Sequence, residues 1–207
     1  MEIYKLEKEL HLQGYKNILG TDEAGRGPMA GPLVAAAVIL PEDFFLEELN
    51  DSKKLSPKKR EMLFEVIVTK AVEVQTEIIS VDDVDRLNVF GATKKAMLSC
   101  INKMKTKVDY VLTDAVKLKL NIPCVDIIKG DAKVAAIAAA SIVAKVTRDR
   151  LMEEYDLIYP KYGFKKHKGY VTKQHLEMLK KYGPCPLHRE SFEPVKKEMY
   201  KQIKLSI

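Results

Sequence analysis

Residues 33–40 read Leu-Val-Ala-Ala-Ala-Val-Ile-Leu without a polar residue and stop at Pro41. A half-exposed strand alternates apolar and polar side chains, so an unbroken run of this length reads as a strand buried on both faces. Residues 17–21 precede it across a polar turn, and the two read together as a hairpin. Residues 131–152 are crowded with alanine and carry Val134, Ile137, Ile142 and Val146. That stretch reads as a long helix lying close against a sheet. A chain with both features builds a mixed α/β layer structure.

The remaining segments fit that frame. Ser56 and Pro57 mark a helix start, a capping hydroxyl followed by proline at the first helical position. The helix is expected to run to about Lys70 and to bury Met62, Leu63, Val66 and Ile67. Residues 72–79 read as a strand, 82–104 as a helix interrupted near 88–91, and 107–113 and 124–128 as two further strands. Pro160 blocks helix continuation, and beyond it glycines and prolines divide a basic tail into short helices and loops.

Charge and composition narrow the function classes. The 207 residues carry a net charge of +6, with basic clusters at 53–60 and 161–181. Such stripes suit a polyanion, since each neutralised phosphate releases counterions, although solvated helix faces carry the same pattern. Cys100, Cys124 and Cys185 lack metal-ligand spacing and read as reduced thiols. The Glu- and Lys-rich start is no secretory signal, and no run approaches the ~18 apolar residues of a membrane span. The expectation is a cytoplasmic monomer that does not engage membranes.

The chemically informative stretch is Gly20-Thr21-Asp22-Glu23-Ala24-Gly25-Arg26-Gly27-Pro28. Adjacent carboxylates at a strand end repel one another unless cations lie between them, and hard cations such as Mg²⁺ or Mn²⁺ take oxygen ligands. Asp114 ends the strand at 108–113, and Asp131 stands at the start of the alanine-rich helix. If these ends meet, four carboxylates surround one cavity, and two metal ions there could serve an in-line phosphoryl displacement. Each residue alone has a plainer reading: Asp131 as a helix cap, Asp114 as a turn residue, Gly-Arg-Gly as a tight turn.

Taken in order, these motifs resemble the ribonuclease HII family from about Asn17 to Val195. Asp22 to Gly27 matches its first signature, and Asp51-Ser52-Lys53-Lys54-Leu55-Ser56 its basic loop. Gly130-Asp131-Ala132-Lys133 and the run from Ala139 to Asp149 match its long helix. Gly163-Phe164, His167-Lys168-Gly169-Tyr170 and His188-Arg189-Glu190-Ser191-Phe192 match its C-terminal segments. One departure is Thr113-Asp114-Ala115, where the family commonly has Val-Asp-Gly.

The resemblance implies a ribonuclease H-like fold, a mixed β-sheet flanked by helices with a helical C-terminal extension. The catalytic domain would span residues 1–155, and a basic extension for substrate junction recognition residues 156–207. Asp22, Glu23, Asp114 and Asp131 would be the catalytic and metal-binding carboxylates, with Mg²⁺ or Mn²⁺, two ions in the reactive complex. The substrates would be RNA–DNA hybrids and DNA duplexes containing ribonucleotides. Gly25, Arg26 and Gly27 would read the 2′-hydroxyl that separates RNA from DNA, and Tyr170 would stack at the RNA–DNA junction. Ser52, Lys53, Lys145 and Arg148 would contact phosphate, while Asp149 would be structural or face phosphate.

Two rivals remain. The ribonuclease HIII relatives usually carry an N-terminal substrate-binding domain, for which the sixteen or so residues before the first strand are too few, and they tend to use Glu in place of Asp131. A non-catalytic nucleic-acid-binding module would bind without divalent ions, but clustered acids would weaken its grip on phosphate.

Overall fold

The computed structural model describes residues 2–49, 52 and 55–205. Five strands, β1 (Ile18–Ala24), β2 (Leu33–Ile39), β3 (Glu73–Ile79), β4 (Tyr110–Asp114) and β5 (Cys124–Ile127), form one sheet in the order β3-β2-β1-β4-β5. The hairpin is as expected: β1 and β2 run antiparallel with Asp22 opposite Ala36. Every residue of β2 is buried, which accounts for its lack of alternation. β1 runs parallel to β4 with Thr21 opposite Thr113, and β4 runs parallel to β5. Parallel pairing in that register brings the next residues, Asp22 and Asp114, to the same end of the sheet.

The helices are α1 (Lys5–Leu12), α2 (Pro57–Lys70), α3 (Val81–Lys103), α4 (Ala135–Ile158), α5 (Phe164–His167), α6 (Lys173–Tyr182) and α7 (Glu193–Leu205). Ser56 caps α2 by accepting the N–H of Lys59. Leu63 and Ile67 are buried beneath α2, but Met62 is 54% exposed, so the buried stripe is narrower than expected. The break in α3 falls at Asn88, whose φ is 55° and whose Oδ1 accepts the N–H groups of Phe90 and Gly91.

α4 starts at Ala135, later than expected, because Gly130–Ala132 forms a separate 3₁₀ turn. Its alanines allow contact with the backbone of β1: a Cβ on Gly20 would overlap the carbonyl carbon of Ala136 and the nitrogen of Ile137. The start of α4 is held by a residue distant in sequence. Glu7 on α1 accepts the N–H of Ala135 at 3.0 Å and of Ala136 at 2.8 Å, supplying acceptors that a helix N-terminus lacks. Burial pushes the Glu7 carboxyl up to about 7, against these two hydrogen bonds.

The chain forms two compact units. One comprises Met1–Ala24, Val34–Glu77 and Thr93–Val146, the other Gly25–Leu33, Ile78–Ala92 and Thr147–Ile207. Each unit is drawn from three segments of the chain. The core of the first unit includes Val38, Leu63, Ile67 and the inner face of α4 from Ala135 to Val146. The second contains two small apolar clusters, one around Met152, Tyr162, Phe164 and Leu187 and one around Met29, Leu179 and Val195. Among the described residues the cysteines are free, and no helix is long and apolar enough to cross a membrane.

Candidate active site

In the first unit, carboxylate oxygens of Asp22, Asp114 and Asp131 lie within 4.8 Å of one another. Three parts of the chain supply them. β1 and β4 end side by side, and the 3₁₀ turn before α4 carries Asp131. That turn is tied to β4, since Asp114 Oδ1 accepts the N–H of Gly130. At the start of α4 the N–H groups of Ala135 and Ala136 go to Glu7.

Glu23 is the next residue of β1 and is half-buried. It is not among the three residues sharing the 4.8 Å cluster. Its charge still acts on the site. Burial raises the Asp22 carboxyl well above the usual range, with repulsion from Glu23 and then Asp114 adding to it. A hydrogen bond from Ser141 opposes the shift.

This donor set fits a divalent cation. Three carboxylates in mutual contact distance, two of them buried, are penalised by desolvation and repulsion, and a hard cation relieves both. The set has no His or Cys ligand, which argues against zinc.

Ser52 is buried rather than facing a phosphate, and its hydroxyl is 2.9 Å from that of Ser141. Ser52 joins a hydroxyl pair with Ser141, which itself hydrogen-bonds Asp22. Ser141 lies in the run from Ala139 to Asp149 that resembles the family's long helix, but a serine among alanines carries no signal of its partner. Lys145 is half-buried on α4, and Lys53 lies outside the described residues.

The second unit holds the Gly25-Arg26-Gly27 loop. Arg26 and Gly27 are exposed, and Gly25 is buried with φ at 103°. Arg148 is fully buried and donates to the carbonyls of Pro32, Ala30 and Lys168. Its guanidinium is spent on backbone oxygens out of reach of solvent. A Cβ on Gly25 would collide with that guanidinium arm.

Arg189 is also fully buried and donates to the carbonyls of Gly25, Arg26 and Gly31. Burial and the neighbouring Arg148 push its pKa down to about 9. Two buried arginines thus fasten the loop from beneath. Arg189 stands in the His-Arg-Glu-Ser-Phe motif, so the signal was present although its partners were not. Tyr170 is 44% exposed, and its ring edge would lie 3.7 Å from a Cβ on Gly27. Asp149 is half-buried, with its carbonyl accepting Lys168 Nζ at 3.2 Å.

A mixed sheet with two carboxylates at parallel strand ends and a third on the adjoining 3₁₀ turn defines an α/β protein with an acidic cluster suited to a divalent cation. Comparison with known proteins makes this particular. The family model described as Ribonuclease HII matches residues 19–195. A ribonuclease HII of Acetivibrio thermocellus is 54% identical over 193 residues, covering 93% of this chain and 75% of that protein. The ribonuclease H2 structure from Pyrococcus horikoshii OT3 superposes with a TM-score of 0.78 at 27% identity, covering 91% of this chain and 99% of that one. A PCNA:RNase HII complex from Archaeoglobus fulgidus matches with a TM-score of 0.75 at 27% identity, over 86% of this chain and 95% of that one. The chain belongs to the ribonuclease HII family and is an RNase H-type endonuclease whose substrates are nucleic acids.

Proposed function

We propose that the protein hydrolyses the RNA strand of RNA–DNA hybrids and incises DNA duplexes on the 5′ side of single embedded ribonucleotides. The products carry 5′-phosphate and 3′-hydroxyl ends. The observation that carries this reading is the meeting of Asp22, Asp114 and Asp131 within 4.8 Å in a chain of this family.

Asp22, Asp114 and Asp131, with Glu23 contributing from the same strand end, would hold Mg²⁺ or Mn²⁺, two ions in the reactive complex. The ions supply Lewis acidity to the attacking water and to the departing 3′ oxygen. The chain's own groups prepare the site. Ser141 hydrogen-bonds Asp22, and the Gly130 N–H fixes one oxygen of Asp114, so neither carboxylate has to reorient on binding. Gly25, Arg26 and Gly27 read the 2′-hydroxyl, as backbone groups can where no side chain intervenes. Tyr170 stacks at the RNA–DNA junction, Lys53 and Lys145 contact phosphate, and the enzyme acts as a cytoplasmic monomer.

Asp22→Asn tests the assignment. It should lower cleavage by at least about a hundredfold while hybrid binding stays near that of the parent. A full-rate Asp22→Asn enzyme would remove the carboxylates from the mechanism.

A further inference from the structure

Beneath Tyr170, in the second unit, three of the chain's four histidines stand together. The rings of His167 and His175 stack with centroids 4.1 Å apart. His175 Nε2 lies 3.1 Å from His188 Nε2. Phe164 meets all three rings, and Tyr162 lies edge-on to His188. His175 is fully buried, and the other two nearly so.

Their partners assign the protons. His175 Nδ1 is 2.9 Å from the carbonyl of Tyr170, which can only accept, so Nδ1 carries the hydrogen. In a neutral ring Nε2 is then an acceptor, and the facing His188 Nε2 must donate. His188 Nδ1 must therefore accept, and the backbone N–H of Cys185 donates to it at 3.0 Å. The same Nδ1 also lies 3.3 Å from the Cys185 carbonyl, but that oxygen already accepts the His188 N–H at 2.9 Å, and the shorter contact from the Cys185 N–H agrees with the tautomer that His175 requires. His167 follows the same logic, with Nε2 donating to the Tyr162 carbonyl at 2.9 Å and Nδ1 accepting the Gly169 N–H at 3.2 Å. The Tyr170 N–H in turn donates to the His167 carbonyl. Both backbone groups of Tyr170 are thus held by the cluster.

We infer that His188 and His175 form a neutral, directional hydrogen-bond chain, with the His167 ring stacked on His175, that positions Tyr170 against Gly27 for junction recognition, with His175 as the positioning residue. The inference rests on the proposed role of Tyr170. Gly169 supports the same placement: its φ is 83°, a Cβ there would overlap the Ala30 carbonyl, and its own carbonyl accepts the Met29 N–H at 3.0 Å. The tyrosine backbone is therefore held from below by histidines and, one residue earlier, from the side by the segment that carries Gly27. Burial lowers the pKa of all three histidines, in keeping with neutral rings.

Two measurements test this. The ring ¹⁵N spectrum of the full chain at pH 7 should show His175 as the Nδ1–H tautomer and His167 and His188 as Nε2–H tautomers. A His188 Nδ1–H tautomer, or an imidazolium among the three, would overturn the chain of bonds without reference to catalysis. The second measurement is the ratio of single-ribonucleotide incision to long-hybrid cleavage. His175→Ala should lower that ratio about tenfold, the size of one lost hydrogen bond in a desolvated setting. His175→Asn, which keeps a donor where Nδ1 stood, should restore most of it. Combined with Tyr170→Ala, His175→Ala should add no further loss, because it acts through the tyrosine. If Tyr170→Ala lowers the ratio and His175→Ala does not, the positioning role is wrong. If Tyr170→Ala leaves the ratio unchanged, the junction reading itself fails, and the ring spectrum still judges the hydrogen-bond chain.

Discussion

Asp114 Oδ1 accepts the backbone N–H of Gly130 at 2.7 Å, fastening the end of β4 to the residue that precedes Asp131. One carboxylate therefore does two things: it sets the position of its neighbour on the 3₁₀ turn and contributes charge to the cluster. Asp114→Asn separates them. An amide oxygen can still take the Gly130 N–H, while a charge that repels Asp22 is gone. Without metal, its melting temperature should equal or exceed that of the parent. Adding millimolar Mg²⁺ or Mn²⁺ should raise the parent's melting temperature and leave the variant's nearly unchanged, since ligands stabilise by binding the folded state. An equal metal-induced rise in both would place the cation elsewhere.

Ala115 follows Asp114 with φ at 51°, in the left-handed region where a Cβ is crowded. Two residues depart from the Val-Asp-Gly pattern, Thr113 and Ala115, and the second stands where the backbone favours glycine. Ala115→Gly should stabilise the protein by about 0.5–1 kcal/mol, relief of strain exceeding the added freedom of the unfolded chain. Urea unfolding checks it; a loss of stability of that size would mean that Ala115 gains more from its methyl than its conformation costs.

Acid should loosen the second unit. Burial lowers His175 to about 3 and His188 to about 4, and it lowers His167 as well. A folded pKa below the unfolded value means stability that is present above about 6.5, the ordinary histidine pKa, and lost as pH falls toward 4 and then 3. Around the cluster, Asp156 favours a charged His167, Lys166 opposes it, and the histidines disfavour charge on one another. Glu7 in the first unit works the other way, because a carboxyl raised to about 7 costs stability as pH rises from 4.5 through 7. Comparing the parent with His175→Asn cancels Glu7. Between pH 7 and pH 5 the parent should lose about 5 °C more in melting temperature than the variant. Equal losses would show that His175 is not kept neutral by burial.

Much of this was legible in the sequence. The unbroken run of β2, the Ser56 cap and the break near Asn88 are local signals, and the structure keeps them. Asp22, Asp114 and Asp131 were singled out at element ends, and the parallel β1–β4 register explains why ends distant in sequence coincide. What could not be read was the direction of buried polar groups. Arg148 looks like a phosphate contact because it is basic and lies in the motif, yet its donors face carbonyls. Ser52 stands in a basic loop, yet its hydroxyl turns inward to Ser141. Glu7 lies outside the matched segment and caps a helix that begins 128 residues later. Burial and long-range pairing decide these roles, and neither leaves a periodic trace in the chain.

The most direct test of the central claim uses a labelled DNA duplex carrying one ribonucleotide, incubated with the protein and Mg²⁺ or Mn²⁺ and then with EDTA. The account predicts incision on the 5′ side of the ribonucleotide, leaving 5′-phosphate and 3′-hydroxyl ends, and its arrest by EDTA. Cleavage confined to long RNA–DNA hybrids, or incision that persists in EDTA, would contradict it.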